Sequence, residues 1–562
     1  MKIDIRKMIY NISILIIIFM TVCLCCTKIW FFFGGIINKY MFVSDIIIAI
    51  VIFCWFNKEN GVLCGLSIGV FFAIIIGTIF LSIQVFDLSY DGCAYHEMAI
   101  GLLANGWNPV KISAEEFINA SNVQLLGKSH SLWIDHYSSG TWTIASVIYA
   151  FTGYIESGKA INILTMVAIF GILYFYIGKW KNQKIGFIIS FLMVINPITI
   201  SQMFTNYVDG LLMLYLELGI LAWFIIIKNE SIVEKKKGFV FLFCSILFCA
   251  NIKFTALFYI GIYTIVIYCI MLYNAYKNNR LKTVFIKLTS LLAAMVIFSV
   301  VIIGYSPYIT NWVNEGNPLY PLIGKGKVDI MTENQPAEFL ELTNVEKFVV
   351  SLFSKVDNIN ANVDRKTQIK MPFSISFEEI KKCTVDTRIS GFGPWFSGIF
   401  IISSVLLIVC GYNVIKQKKA NIYFTALLIT NIVLTLFFTG NWWARYSVYE
   451  YFIVLAIFFI IDLKDRNFIK KLLVIVLGCL LLINTNFFMY GNIQAFESSQ
   501  DIRNTLKNLA EVSKNHEVEI NLINNDFSGA QFNLRDYGIE YTLPKDNFSA
   551  DGIYCSYTYR IK

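Results

Sequence analysis

Charge is what this chain has little of: 15% of its 562 residues are Asp, Glu, Lys or Arg, against 57% apolar and 16% aromatic. So much apolar surface cannot be hidden inside a water-soluble core, which excludes a soluble globular protein. Repeated runs near or above the roughly 18 apolar residues that cross a bilayer make it a polytopic membrane protein. There is no CxxC pair and no Cys/His spacing for zinc. Most of the thirteen cysteines lie inside apolar runs and behave as small hydrophobes. Only Cys93, Cys383 and Cys555 fall in long loops, which excludes a disulfide framework and leaves a Cys93–Cys383 bridge conceivable. No fixed-period repeat and no low-complexity tract is present, so solenoid and linker readings fall away. The net charge of +8 does not point to nucleic acid, because the cations sit in short clusters between apolar runs.

The basic start MKIDIRKM leads into a run longer than a signal-peptide core, with no small-residue cleavage site behind it, and reads as a retained helix. Spans are expected at about 10–33, 42–56, 62–86, 157–178, 185–203, 208–227, 238–252, 255–273, 284–305, 393–414, 421–438, 445–462 and 470–490. With the N-terminus cytoplasmic, the inner loops are NKEN, GKWKNQK, KNESIVEKKK, NAYKNNRLK, YNVIKQKKAN and DLKDRNFIKK, all but the first rich in Lys or Arg. That scheme requires TWTIASVIYAFTGYI (141–155) to lie in the outer interface as a helix that does not cross.

The fold class that follows is an all-α polytopic membrane protein of about 13 transmembrane helices. Residues 1–86 carry the first three helices, 87–156 an extracytoplasmic loop with interfacial helices, and 157–305 helices four to nine. A large extracytoplasmic loop follows at 306–392, helices ten to thirteen at 393–490, and a small extracytoplasmic α/β tail at 491–562. In the tail, DIRNTLKNLAEVSKNH has a helical pattern, while EVEINLI and YCSYTYRI read as strands.

Ionisable residues at membrane depth are costly and therefore functional candidates. On this topology they collect at the outer surface. Asp91, Tyr95, His96 and Glu97 follow the third span in SYDGCAYHEM, and His136 lies in LWIDHYSSGTW. Asp209 ends NPITISQMFTNYVD, Lys253 interrupts the run CANIKFTAL, and Arg445 stands in NWWARY. Each has a plainer reading: Asp91 or Asp209 as a helix cap, Lys253 as a snorkelling cation, Arg445 as an interfacial anchor beside Trp442 and Trp443.

Gathered in one cavity, these groups suit sugar transfer from a lipid phosphate. A carboxylate takes the proton of an acceptor hydroxyl as it attacks the anomeric carbon. Cations stabilise the departing phosphate. Asp91 suits the first task, Lys253 and Arg445 the second, and Tyr95, His96, Glu97 and His136 are candidate substrate contacts.

The order of motifs resembles the GT-C superfamily of polyprenyl-phosphate-sugar glycosyltransferases, which includes protein O-mannosyltransferases and transferases that add aminoarabinose to lipid A. The resembling pieces are D-x-x-x-Y-H (Asp91, Tyr95, His96), the NP…D segment ending at Asp209, KFTAL with Lys253, SPYITNWVNEGNPLYPL, and WWARY with Arg445, spanning roughly 86–462. SSGTW stands where relatives often carry Pro-Pro-Leu, and two extra helices precede the first loop.

The resemblance implies Asp91 as base, with Asp209 assisting it or helping to bind a metal. The direct displacement inverts the anomeric configuration, and the positive-inside pattern puts the active site on the extracytoplasmic side of the cell membrane. The Ile, Lys and Asn bias suggests an AT-rich bacterial genome. The transferase's partners would be a polyprenyl-phosphate sugar donor, membrane lipids and an acceptor that is a lipid, a cell-envelope polysaccharide or a protein. A divalent cation at Asp91, Asp209 and His96 is left open by the spacing. A polysaccharide polymerase or ligase is the nearer rival. A lipid-linked sugar transporter or flippase, for which broken helices and inverted repeats are expected, is the other.

Overall fold

The computed structural model describes residues 4–57, 61–121, 125–363, 365–418, 420–461, 468–523, 526–544, 550–554 and 557–562; Cys555 lies outside them. Each expected span overlaps helical structure, with a break inside 185–203. Among the described residues, eight helices are long and apolar enough to cross a membrane: Ile5–Phe32, Gly61–Gln84, Ile155–Trp180, Asp209–Lys228, Phe254–Lys277, Leu281–Ile303, Phe396–Lys416 and Ile469–Val512. Four shorter apolar helices, Tyr40–Phe56, Gln183–Val194, Ile422–Phe437 and Tyr449–Ile460, join them. Ile232–Ile252 completes the bundle, its first turns carrying Lys235, Lys236 and Lys237. The chain is a multi-pass, all-α membrane protein with a small sheet at its C-terminal end.

Burial separates a central layer from a lipid-facing one. Asp209–Lys228 is buried along nearly its whole length and packs against Ile232–Ile252, Ala160–Trp180 and Phe254–Lys277. Ser245 seals the first contact by donating its hydroxyl to the Tyr215 carbonyl at 2.7 Å, as small polar residues do between membrane helices. Gly61–Gln84, by contrast, turns Ile76 and Phe80 outward.

Two expectations need correction. The run 185–203 is not one span: the helix stops at Val194, and Asn196 caps a new short helix, Pro197–Ser201. Its side chain accepts from Ile198 N at 3.0 Å and Thr199 N at 3.1 Å. Proline at the first helical position cannot continue the earlier ladder but suits a new start. The second concerns Gly140–Thr152, which is enclosed by protein, buried from Gly140 to Tyr149, where an interfacial surface helix was expected. Its Ser146 hydroxyl meets the carbonyls of Trp142 (2.6 Å) and Ile100 (3.0 Å), so its polar residues are spent inside the fold. At 13 residues it is about 20 Å long, too short to span.

The tail forms the antiparallel sheet β1 (Val518–Leu522), β2 (Gly552–Tyr554) and β3 (Tyr557–Ile561) in the order β1-β3-β2. Val518 pairs with Ile561 and Leu522 with Tyr557. Leu506, Leu509, Val518, Ile520 and Leu534 form its core, which also takes in Phe86 and Leu126. The appendage is therefore docked on the segment after Gly61–Gln84. Cys93 and Cys383 do not bridge: their thiols donate to the carbonyls of Asp87 (3.0 Å) and Glu379 (3.3 Å).

Candidate active site

Asp91 follows the helix Gly61–Gln84 and precedes the π-helical turn Gly92–His96, yet its side chain does not cap that turn. It reaches Arg445 instead, Oδ2 accepting from Nη2 at 2.9 Å. Arg445 lies just before the helix Tyr449–Ile460. Its Nε donates to Asp209 Oδ2 at 3.1 Å and its Nη1 to Asp386 Oδ1 at 2.7 Å. One guanidinium thus holds three carboxylates, using the fixed fork that distinguishes Arg from Lys.

Asp209, the first residue of its helix and fully buried, also accepts from Lys253 Nζ at 2.6 Å and Gln202 Nε2 at 3.1 Å. Lys253 stands at the junction of Ile232–Ile252 and Phe254–Lys277 and is 2% exposed, so it does not snorkel. Aromatic faces complete the cage. The Tyr207 ring lies 4.5 Å from Arg445 Cζ, and the Tyr446 ring 3.9 Å from Lys253 Nζ, both within cation–π range. Trp442 and Trp443 are buried and stacked 5.4 Å apart, where an anchor in the lipid interface would be exposed. Asp91, Asp209, Lys253 and Arg445 thus meet at one end of the helix bundle.

The outer members of the cluster are Asp91, with a side chain 18% exposed, and Asp386, at 23%. Asp91 Oδ1 has no hydrogen-bond partner among the described residues and is its open atom. Asp386 also faces Arg388, Oδ2 to Nη2 at 3.4 Å. Crowding away from water pushes the Asp386 carboxyl up from its usual range even with Arg445 beside it.

Among the other sequence candidates, Tyr95 and His96 line the cage wall. The Tyr95 ring is tilted against His96 with centroids 4.4 Å apart, and the His96 ring is 6.1 Å from Tyr207. Burial pushes His96 down to about 4, so at neutral pH its ring is uncharged and its Nδ1 accepts from Trp142 Nε1 at 2.6 Å. A neutral ring gives a phosphate no charge. Glu97 faces away, under the appendage, with Gly529 packed against its Cβ. Burial holds its carboxyl well above the usual range, and neither oxygen has a partner among the described residues. His136 belongs to the long loop instead, Nδ1 on Asn311 Oδ1 at 2.7 Å and its ring 4.8 Å from Tyr320.

Several participants carried no clear sequence signal. Asp386 and Arg388 sit in a polar loop where acids and bases are ordinary. Asp87 takes the backbone N–H and side-chain amide of Asn206 at 2.6 and 3.0 Å and the Ser89 hydroxyl at 2.5 Å, tying the Asp91 segment to the one before Asp209. A Cβ on Gly92 would collide with that carboxylate. In SSGTW, Ser139 accepts from the buried Lys28 Nζ at 2.5 Å and Gly140 packs on the Asn251 carbonyl, so this motif is a helix junction.

No group of three or more His, Cys, Asp or Glu able to hold a metal is present among the described residues. Asp91 and Asp209 converge on Arg445, whose guanidinium stands where a shared cation would, and His96 Nδ1 is engaged by Trp142. These residues do not fit a divalent ion.

No family model matches the chain, and no curated protein does. Among solved structures it is similar to the crystal structure of ArnT from Cupriavidus metallidurans in the apo state, with 12% identity over 83% of this chain and 84% of that one and a TM-score of 0.47.

Proposed function

We propose that this protein is an integral-membrane glycosyltransferase that moves a sugar from a polyprenyl-phosphate donor to an acceptor hydroxyl on the extracytoplasmic side. The observation that carries the reading is Asp91: Arg445 fixes one carboxylate oxygen and leaves the other without a partner among the described residues, and the same guanidinium reaches Asp209, which Lys253 holds. The order of the motifs that resemble GT-C glycosyltransferases adds to it.

In this scheme Asp91 Oδ1 takes the proton of the acceptor hydroxyl as its oxygen bonds to the anomeric carbon. The bond from that carbon to the phosphate oxygen breaks, polyprenyl phosphate leaves, and the anomeric configuration inverts. Arg445 is fully engaged at rest. A donor phosphate gains its help by displacing the partly exposed Asp386 from Nη1, which brings Arg388 to the same point. Asp209, held by Lys253, Gln202 and Arg445, keeps the guanidinium in place throughout. The positive-inside pattern puts this end of the bundle, the appendage, and the loops 87–156 and 306–392 outside the cell.

The test is transfer from radiolabelled polyprenyl-phosphate sugars in membranes holding matched amounts of wild type or Asp91→Asn. Transfer by the wild type alone, with an inverted product, is expected. A product of retained configuration overturns the direct displacement.

A further inference from the structure

An apolar cavity lies away from the proposed site, along the central helix. Its volume is about 510 Å³, within the range of ligand pockets. Asp209–Lys228 presents Glu217, Ile220, Leu221, Phe224 and Lys228 to it, one helical face. The cavity begins at Glu217, about 12 Å below Asp209, and ends at Lys228, about 16 Å further on. Helices Phe396–Lys416, Ile422–Phe437 and Tyr449–Ile460 form its other walls.

Charge marks one end. Lys181 and Lys228 both line the cavity there, close enough for their charges to repel, and among the described residues the one lining acid, Glu217, is at the opposite end. Lys181 donates to the Phe459 carbonyl at 3.0 Å, while the Lys228 ammonium lies 4.6 Å from the Trp180 ring. Two cations over an apolar slot complement an anionic head with a hydrocarbon chain. Both belong to loops rich in Lys that the positive-inside pattern assigns to the cytoplasmic face, where basic pockets between helices recruit acidic lipids.

We propose that this cavity is a binding site for one anionic phospholipid of the cytoplasmic leaflet, its phosphate on Lys181 and Lys228 and an acyl chain in the slot. Glu217, whose carboxyl oxygens have no partner among the described residues, sets the depth at which the chain stops. The site is distinct from the Asp91 cluster and stands whether or not the chain transfers sugars.

The test is native mass spectrometry of the full chain in detergent, titrated with phosphatidylglycerol or phosphatidylcholine. The wild type is expected to hold one phosphatidylglycerol and to prefer it over phosphatidylcholine. Lys228→Gln should weaken it about fivefold, and Lys181→Gln with Lys228→Gln about thirtyfold. Gly411 lines the cavity, and a Cβ there meets nothing within 4 Å, so Gly411→Phe fills the slot and should lose both lipids. Thermal unfolding of each variant in phosphatidylcholine checks that it is folded. Equal retention of the two lipids, or an unchanged affinity in the double lysine variant, overturns the head-group assignment. Retention of phosphatidylglycerol by folded Gly411→Phe overturns the cavity as the chain's site.

Discussion

Asp91→Asn separates chemistry from architecture because the two effects differ in size. Asparagine keeps the shape of aspartate and an oxygen to accept from Arg445 Nη2, so what is lost is the charge on one hydrogen bond of 2.9 Å at a side chain 18% exposed. A charge-assisted bond is worth about twice a neutral one, which puts the stability loss near 1 kcal/mol. Asp209 and Asp386 still hold the guanidinium, and the cluster stays assembled. Loss of a general base costs about 10²- to 10⁴-fold in rate, or roughly 3 to 5.5 kcal/mol of barrier. The assay is the initial rate of sugar transfer in membranes with matched protein, beside thermal unfolding of the purified variant. A rate within about tenfold of wild type, with stability nearly unchanged, would refute Asp91 as the base.

Four further expectations follow from particular contacts. Lys253→Met leaves the fully buried Asp209 without its closest cation and should cost about 3–5 kcal/mol in unfolding free energy, most of it recovered on adding Asp209→Asn. Asp386→Asn keeps an oxygen for Arg445 Nη1 but loses the charge, and should change transfer less than Asp91→Asn does, by about tenfold or less, read in the same initial-rate assay. Gly92→Ala forces the Asp87 carboxylate off Asn206 and Ser89 and should lower both activity and thermal stability; an unchanged unfolding midpoint counts against it. Asp536, which accepts from Tyr149 and Ile155 N where the appendage docks, is pushed by burial up to about 7. Its docked form holds the proton more tightly than the undocked form, so its contribution is complete at acid pH and fades as pH rises through about 7. Hydrogen exchange in 531–536, corrected for its intrinsic pH dependence, should accelerate from about pH 4 to about pH 7 and level off above, and Asp536→Asn should flatten that change.

Much of the fold was legible because membrane helices are written locally. An apolar run such as 62–86 has to satisfy its own backbone, whatever it packs against, and it becomes the helix Gly61–Gln84. The break at Val194 was written just as locally, in Asn196-Pro197, but a run scored only for apolarity passes over it. The helix at 140–152 was misjudged for another reason. Whether a short, weakly polar helix lies on the surface or inside depends on neighbours far away in sequence, here Ile100 and Asn251.

The site divides in the same way. Asp91, Asp209, Lys253 and Arg445 stood out because a charge beside an apolar run is costly, so each needs a reason. Asp386 and Arg388 lie in a loop of ordinary polarity, where nothing marks one acid among several. Glu97 and His136 looked like site residues by proximity in sequence, yet the chain direction turns Glu97 toward Gly529 and His136 toward Asn311.

By itself, then, the amino-acid order determined a polytopic helical membrane protein, the positions of its helices, and the charged residues at their ends. Helix formation in a bilayer is a local matter, decided by backbone hydrogen bonds within one segment. Only the tertiary structure decided that Arg445 would meet Asp91 across 354 positions and Asp209 across 236, with Asp386 closing the set. Ion pairing is decided by distance in space, and that distance exists only after the helices have packed.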